Sequence, residues 1–123
     1  MILGIGVDVV DLARFERAAD RTPKLLDRLF APSERISGGE SRSLRSMAAR
    51  FAAKEAFIKA LGGSDGVRWH EVAVVSDEQG NPSIEVHGGL REHLARRGIE
   101  TVHLSMSHDA GIAIAYVIAE GRG

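Results

Sequence analysis

The sequence predicts an α+β fold, with a mainly antiparallel sheet packed against a long helix. Three observations carry this. Strand-like apolar runs lie at both ends, an alanine-rich stretch without Gly or Pro spans Leu44–Leu61, and turn signals stand at Asn81-Pro82 and His108–Gly111. A chain of 123 residues makes one domain, residues 1–123, large enough for a real core. No internal repeat or low-complexity segment divides it.

The elements follow in order. Met1–Val10 is almost wholly apolar and reads as a strand buried on both faces. Asp11 caps a helix running from Leu12 to about Asp20. Thr22-Pro23 starts a second helical piece through about Phe30, and Pro32-Ser33 opens a short turn. Ser37-Gly38-Gly39-Glu40-Ser41 is the clearest flexible loop, placed to act as a mobile flap before the long helix. Gly62-Gly63 ends that helix. Glu71–Ser76 and Ser83–Val86 read as strands, and Gly88–Gly98 as a short amphipathic helix. Val102–Ser107 and Ile112–Ala119 form a closing antiparallel pair. The alternation of small and large residues over Ile112–Ala119 predicts burial on both faces.

Two carboxylates have no ordinary structural role. At 3.6 residues per turn, Leu44, Met47, Ala48, Phe51 and Ile58 gather on one side of the long helix, and Glu55 projects from the middle of that stripe. Lys59 follows one turn later, so a surface Glu→Lys pair is the bland alternative. Asp8 interrupts the first apolar run and caps nothing. Acids are rarely buried without a partner. Two such carboxylates suit a hard divalent cation with oxygen ligands, Mg²⁺ above all, unless Asp8 pairs with Lys59 or an arginine.

Composition excludes several chemistries. With no cysteine there is no disulfide, thiolate metal site or cysteine nucleophile. No basic leader or bilayer-length apolar stretch is visible, so a cytoplasmic protein without a membrane role is expected. The net charge is −1, yet Leu12–Arg50 holds nine Lys/Arg against five acids, a local charge of +4. Arg14, Arg17 and Arg21 share one helix face and point to an acidic partner. Few aromatics and a near-neutral total disfavour nucleic acid. A Ser107/His108/Asp109 triad fails, because adjacent strand residues point to opposite faces. His108 better suits a polar hairpin tip that binds phosphate or caps the turn.

Taken together, three motifs resemble the holo-acyl-carrier-protein synthase family of phosphopantetheinyl transferases, in its small class. They are Gly4-Ile5-Gly6-Val7-Asp8-Val9-Val10, the helical Arg50-Phe51-Ala52-Ala53-Lys54-Glu55-Ala56-Phe57-Ile58-Lys59-Ala60-Leu61-Gly62, and Leu104-Ser105-Met106-Ser107-His108-Asp109. The resemblance implies a 4'-phosphopantetheinyl transferase fold and Mg²⁺-dependent transfer of phosphopantetheine from coenzyme A to a serine of apo-acyl carrier protein. Adenosine 3',5'-bisphosphate would leave, and fatty acid or polyketide synthesis would be served. It implies Asp8 and Glu55 as metal ligands, Lys59 beside the pyrophosphate and His108 near the nucleotide. Arg50 and Lys54 would be phosphate contacts, with the Arg14–Arg17–Arg21 stripe against the carrier. Val10 stands where the larger relatives carry a second acid, which points to the small class and its homotrimers with active sites between subunits. The rivals are a non-catalytic module binding coenzyme A or a nucleotide, and a Mg²⁺-dependent phosphohydrolase.

Overall fold

The computed structural model describes all residues from 1 to 123. Strand β1 (Ile2–Asp11) leads into helix α1 (Leu12–Arg21) and the single-turn helix α2 (Leu25–Leu29). A 3-10 turn at Pro32–Arg35 and the two short strands β2 (Ile36–Ser37) and β3 (Glu40–Ser41) precede helix α3 (Leu44–Ala60). A second 3-10 turn, Trp69–Glu71, opens the hairpin β4 (Val72–Ser76) and β5 (Pro82–Val86). Helix α4 (Gly89–Arg96) and the long hairpin β6 (Ile99–Asp109) and β7 (Ile112–Gly121) close the chain.

The main sheet is antiparallel with strand order β1-β7-β6, so the last strand lies between the first and the sixth. Asp8 pairs with Ala115, which pairs in turn with Met106. Side chains on one face of a strand recur every second residue. Gly4, Gly6, Asp8 and Val10 therefore share one face of β1, with Ala113, Ala115, Val117 and Ala119 beside them on β7. Helix α3 lies across that face. A Cβ on Gly4 would stand 1.9 Å from the Ala60 carbonyl oxygen, and one on Gly6 1.9 Å from that of Ala56. Only glycine permits so close an approach. Ala52, Ala53 and Ala56 on the helix are themselves fully enclosed.

Several boundaries and burials differ from expectation. β1 and β7 are covered on one face, not two: Ile5 is 59% exposed, Val9 53% and Tyr116 51%. An apolar run reports a buried strand without saying whether the same chain supplies both covers, and here α3 supplies one. The small residues of β7 face the helix and its large ones face outward. Residues 37–41 are not an open loop. Ser37 pairs with Glu40 across a two-residue turn, with Gly38 and Gly39 at φ of 60° and 84°, as a type I′ hairpin requires. The second helix begins at Leu25, not Thr22. Thr22 precedes a proline, which disfavours helical backbone, and sits at φ −123°, ψ 86°.

Other expectations hold. The Asp11 side chain accepts from Arg14 N at 3.0 Å and caps α1. Gly62 N and Gly63 N donate to Lys59 O and Ile58 O at the end of α3; the structure adds a cap at its start, where Ser43 accepts from Ser46 N.

Candidate active site

The glycine side of β1 brings Asp8 against the last turns of α3. Lys59 Nζ donates to Asp8 Oδ1 at 3.0 Å and to the Val7 carbonyl at 3.1 Å. Lys59 thus turns to the strand and leaves Glu55 without an ion pair. The Asp8 carboxylate is mostly enclosed, whereas the Lys59 side chain is 54% exposed. Glu55 is half-buried, and its carboxyl is raised above the usual glutamate range. Loss of hydration is the main cause and the Asp8 charge adds to it, while Lys59 pulls the other way.

Both acids line a cavity of about 560 Å³ between β1, α1, α2 and α3. Its walls are mostly apolar: Val9, Val10, Phe15, Leu25, Leu29, Phe51 and Trp69 among them. Phe51 stands between Phe15 and Trp69, with ring centroids 5.6 and 5.9 Å away. None of the cavity's 12 lining residues is Ser, Thr, Cys or His. No group of three or more His, Asp or Glu converges anywhere; the third acid lining the cavity, Asp11, is engaged in capping α1.

The model for the 4'-phosphopantetheinyl transferase superfamily matches residues 4–117. The chain belongs to that superfamily. Among its relatives is the holo-[acyl-carrier-protein] synthase of Clavibacter sepedonicus, 58% identical over 123 residues, with 100% of this chain and 99% of the relative covered. The holo-[acyl-carrier-protein] synthase crystal structure from Neisseria meningitidis superposes with a TM-score of 0.86 at 34% identity, covering 98% of this chain and 99% of that one. The Helicobacter pylori synthase, solved in complex with coenzyme A, gives 0.82 at 33% identity, covering 94% and 99%. This phosphopantetheinyl transferase is therefore an enzyme, and its α+β fold with antiparallel sheets is that of its structural neighbours.

Within this transferase fold, the residues expected to act divide into four groups. Asp8, Glu55 and Lys59 come together. His108 does not join them in one chain: it pairs with Ala113 on the far side of β7. It lines a separate cavity of about 360 Å³ with Leu12, Arg45, Asp109, Ala110 and Gly111. Arg14, Arg17 and Arg21 are exposed along α1 and form no ion pair within the chain, and Arg14 reaches the edge of the Asp8 cavity.

Arg50 and Lys54, expected as phosphate contacts, are engaged inside the fold. Lys54 is fully buried, and its Nζ donates to Glu34 Oε1 at 2.6 Å, Leu29 O at 2.7 Å and Trp69 O at 3.1 Å. Burial pushes its ammonium below the usual lysine range, against the pull of Glu34. With its donors engaged inside the fold, Lys54 has none to offer a ligand. Arg50 is buried too and donates to Ser46 Oγ and Ser76 Oγ, tying α3 to the end of β4. Neither lines the Asp8 cavity. Their neighbours explain it: α3 is enclosed nearly all round, so its interior charges must be satisfied within the protein.

Glu34 escaped the sequence reading. It sits in a Pro-Ser-Glu-Arg turn of surface-like composition, yet is only 3% exposed and also accepts from Ala31 N and Val74 N. The available signal was Lys54 itself, flanked by alanines on a helix that buries them.

Proposed function

We propose that this chain, acting as one 4'-phosphopantetheinyl transferase domain over residues 1–123, moves 4'-phosphopantetheine from coenzyme A to a serine hydroxyl of apo-acyl carrier protein. Adenosine 3',5'-bisphosphate is released, and the modified carrier serves fatty acid or polyketide biosynthesis in the cytoplasm. The observation that carries this reading is the union of Asp8 and Glu55 at a cavity that no Ser, Thr or Cys hydroxyl or thiol lines, with Lys59 paired to Asp8 beside it. An acceptor that brings its own hydroxyl needs electrostatic machinery and a base, not an enzyme nucleophile. The names and coenzyme A complex of the relatives support the same chemistry.

Mg²⁺ fits the donor set. Both acids are hard oxygen donors, and Glu55 carries a like-charge burden from Asp8 that a cation would relieve. Asp8 and Glu55 would hold it, and when bound it neutralises pyrophosphate charge. The chain's own groups do the remainder. The Lys59 ammonium, half exposed beside Asp8, stabilises charge growing on the leaving phosphate. The serine oxygen–phosphorus bond forms as the bond to the nucleotide phosphate breaks. The serine proton passes to Glu55, directly or through water. The acidic carrier lies along Arg14, Arg17 and Arg21, which no internal partner occupies.

A homotrimer completes the proposal. The uncovered apolar face of the sheet, carrying Ile5, Val7, Val9 and Tyr116, is what neighbouring copies would bury. Active sites between subunits would set the His108 cavity of one copy beside the Asp8 cavity of the next. Light scattering that finds an active, stable monomer would contradict this.

The test of activity is intact-mass spectrometry of an apo-acyl carrier protein incubated with the enzyme, coenzyme A and Mg²⁺. A gain of one phosphopantetheine, abolished by EDTA, is expected. Coenzyme A hydrolysis without carrier would instead favour a phosphohydrolase. Glu55→Gln should slow transfer by about 10²- to 10⁴-fold. The same substitution has an opposite effect on the fold. Because the folded carboxyl is raised, its ionisation weakens the fold as pH climbs through that value. In EDTA at neutral pH the Glu55→Gln protein should therefore melt higher than wild type, and a lower midpoint would refute that strain.

A further inference from the structure

Lys54 and Glu34 form a buried charge pair that the proposed chemistry does not use. Such pairs are poor sources of stability, since apolar residues of similar size commonly do as well or better. This pair nonetheless gathers five segments. Lys54 Nζ holds the carbonyls of Leu29, at the end of α2, and Trp69, in the second 3-10 turn. Glu34 takes the Val74 amide of β4 and the Ala31 amide. The Phe30 ring lies under the ammonium, 4.8 Å to its centroid. Two of the residues so held, Leu29 and Trp69, present their side chains to the cavity shared by Asp8, Glu55 and Arg14.

We propose that the Lys54–Glu34 pair is a positioning device that fixes the Leu29–Trp69 wall of this cavity and so sets the fit of the protein substrate. Lys54 stands one residue before Glu55 on α3, so one helix turn carries both the acid and the anchor of the wall opposite. Backbone carbonyls are the groups held, which places the wall without depending on any side-chain contact within it. The substrate half of the claim rests on the proposed transfer; the placement of the wall does not. Arg14, which lines the cavity from the basic face of α1, puts the Leu29–Trp69 wall on the side where the carrier would approach.

The experiment compares wild type with Lys54→Met/Glu34→Gln, which removes both charges and keeps an acceptor for the Ala31 and Val74 amides. The chain's single tryptophan is Trp69, so its emission and acrylamide quenching report the wall directly. A folded double variant should show a more accessible Trp69 and a KM for carrier protein raised about tenfold, the scale of one lost contact. Its kcat and KM for coenzyme A should stay within about twofold, a split that general destabilisation does not produce. Glu34→Asp, which keeps the buried charge but shortens its reach to Lys54, is expected to shift the same readouts less and serves if the double variant does not fold. Unchanged quenching in a folded variant overturns the proposal, as does an exposed Trp69 with wild-type carrier KM. If wild type transfers nothing, the transfer reading falls and Trp69 alone decides the placement of the wall.

Discussion

Gly6→Ala is expected to lose about 100-fold in kcat/KM for carrier modification, the scale of an approximately 1 Å displacement of catalytic groups. The added methyl would lie 1.9 Å from the Ala56 carbonyl oxygen and 2.7 Å from Ala60 N. Both are backbone atoms of α3, so no rotamer change relieves the clash. Strand and helix must separate by more than an ångström. That separation falls between the strand that carries Asp8, two residues on, and the helix that carries Glu55 and Lys59. Overpacking of this kind also costs about 1–3 kcal/mol, so the midpoint of denaturation should fall together with the rate. Wild-type kcat/KM in Gly6→Ala would show that the strand–helix distance does not govern the site.

Lys54→Met alone should be the most destabilising substitution in the interior. It leaves the Glu34 carboxylate, with a 2% exposed side chain, facing a methionine in place of an ammonium 2.6 Å away. Breaking one side of a buried pair costs about 3–5 kcal/mol, a large share of the roughly 5–15 kcal/mol that holds a domain together. Adding Glu34→Gln should recover much of the loss, because the uncompensated charge goes and the acceptor for two amides remains. Urea denaturation measures both proteins. A single variant within about 1 kcal/mol of wild type would mean that water or a neighbouring cation reaches Glu34.

The residues that sequence reasoning found are those where a local pattern was broken. Asp8 interrupts an apolar strand and Glu55 an apolar helical stripe, and the fold joins them. The spacing of Gly4, Gly6 and Asp8 also explains how, since a period of two puts the close approach and the carboxylate on one face. The residues that escaped depend on what lies across from them. Periodicity of α3 marked Glu55 as the anomaly, but Lys54 and Arg50 are buried as well, because α1, β4 and the Pro32–Arg35 turn enclose the sides that a two-faced helix would leave wet. Glu34 lies in an irregular turn, where no period announces burial. The sheet misled for a related reason: β1 and β7 are apolar enough for two covers, and a single chain provides one.

The same sheet makes the first strand wait for the last. Ile2 is registered against Glu120 and Asp11 against Ile112, so β1 has no backbone partner until β7 has been made. At about 5–20 residues per second, a ribosome needs roughly 6–25 s to get from one to the other. Throughout that interval Ile5, Val7 and Val9 belong to an unpaired, largely apolar strand with Asp8 as the one charge among them, the kind of segment that seeks any other strand it meets. Loop closure over nearly the whole chain also comes before the contacts that reward it, which slows the final step. Clipping a few residues from the C-terminal strand should therefore cost more soluble protein during synthesis than the lost contacts alone would indicate.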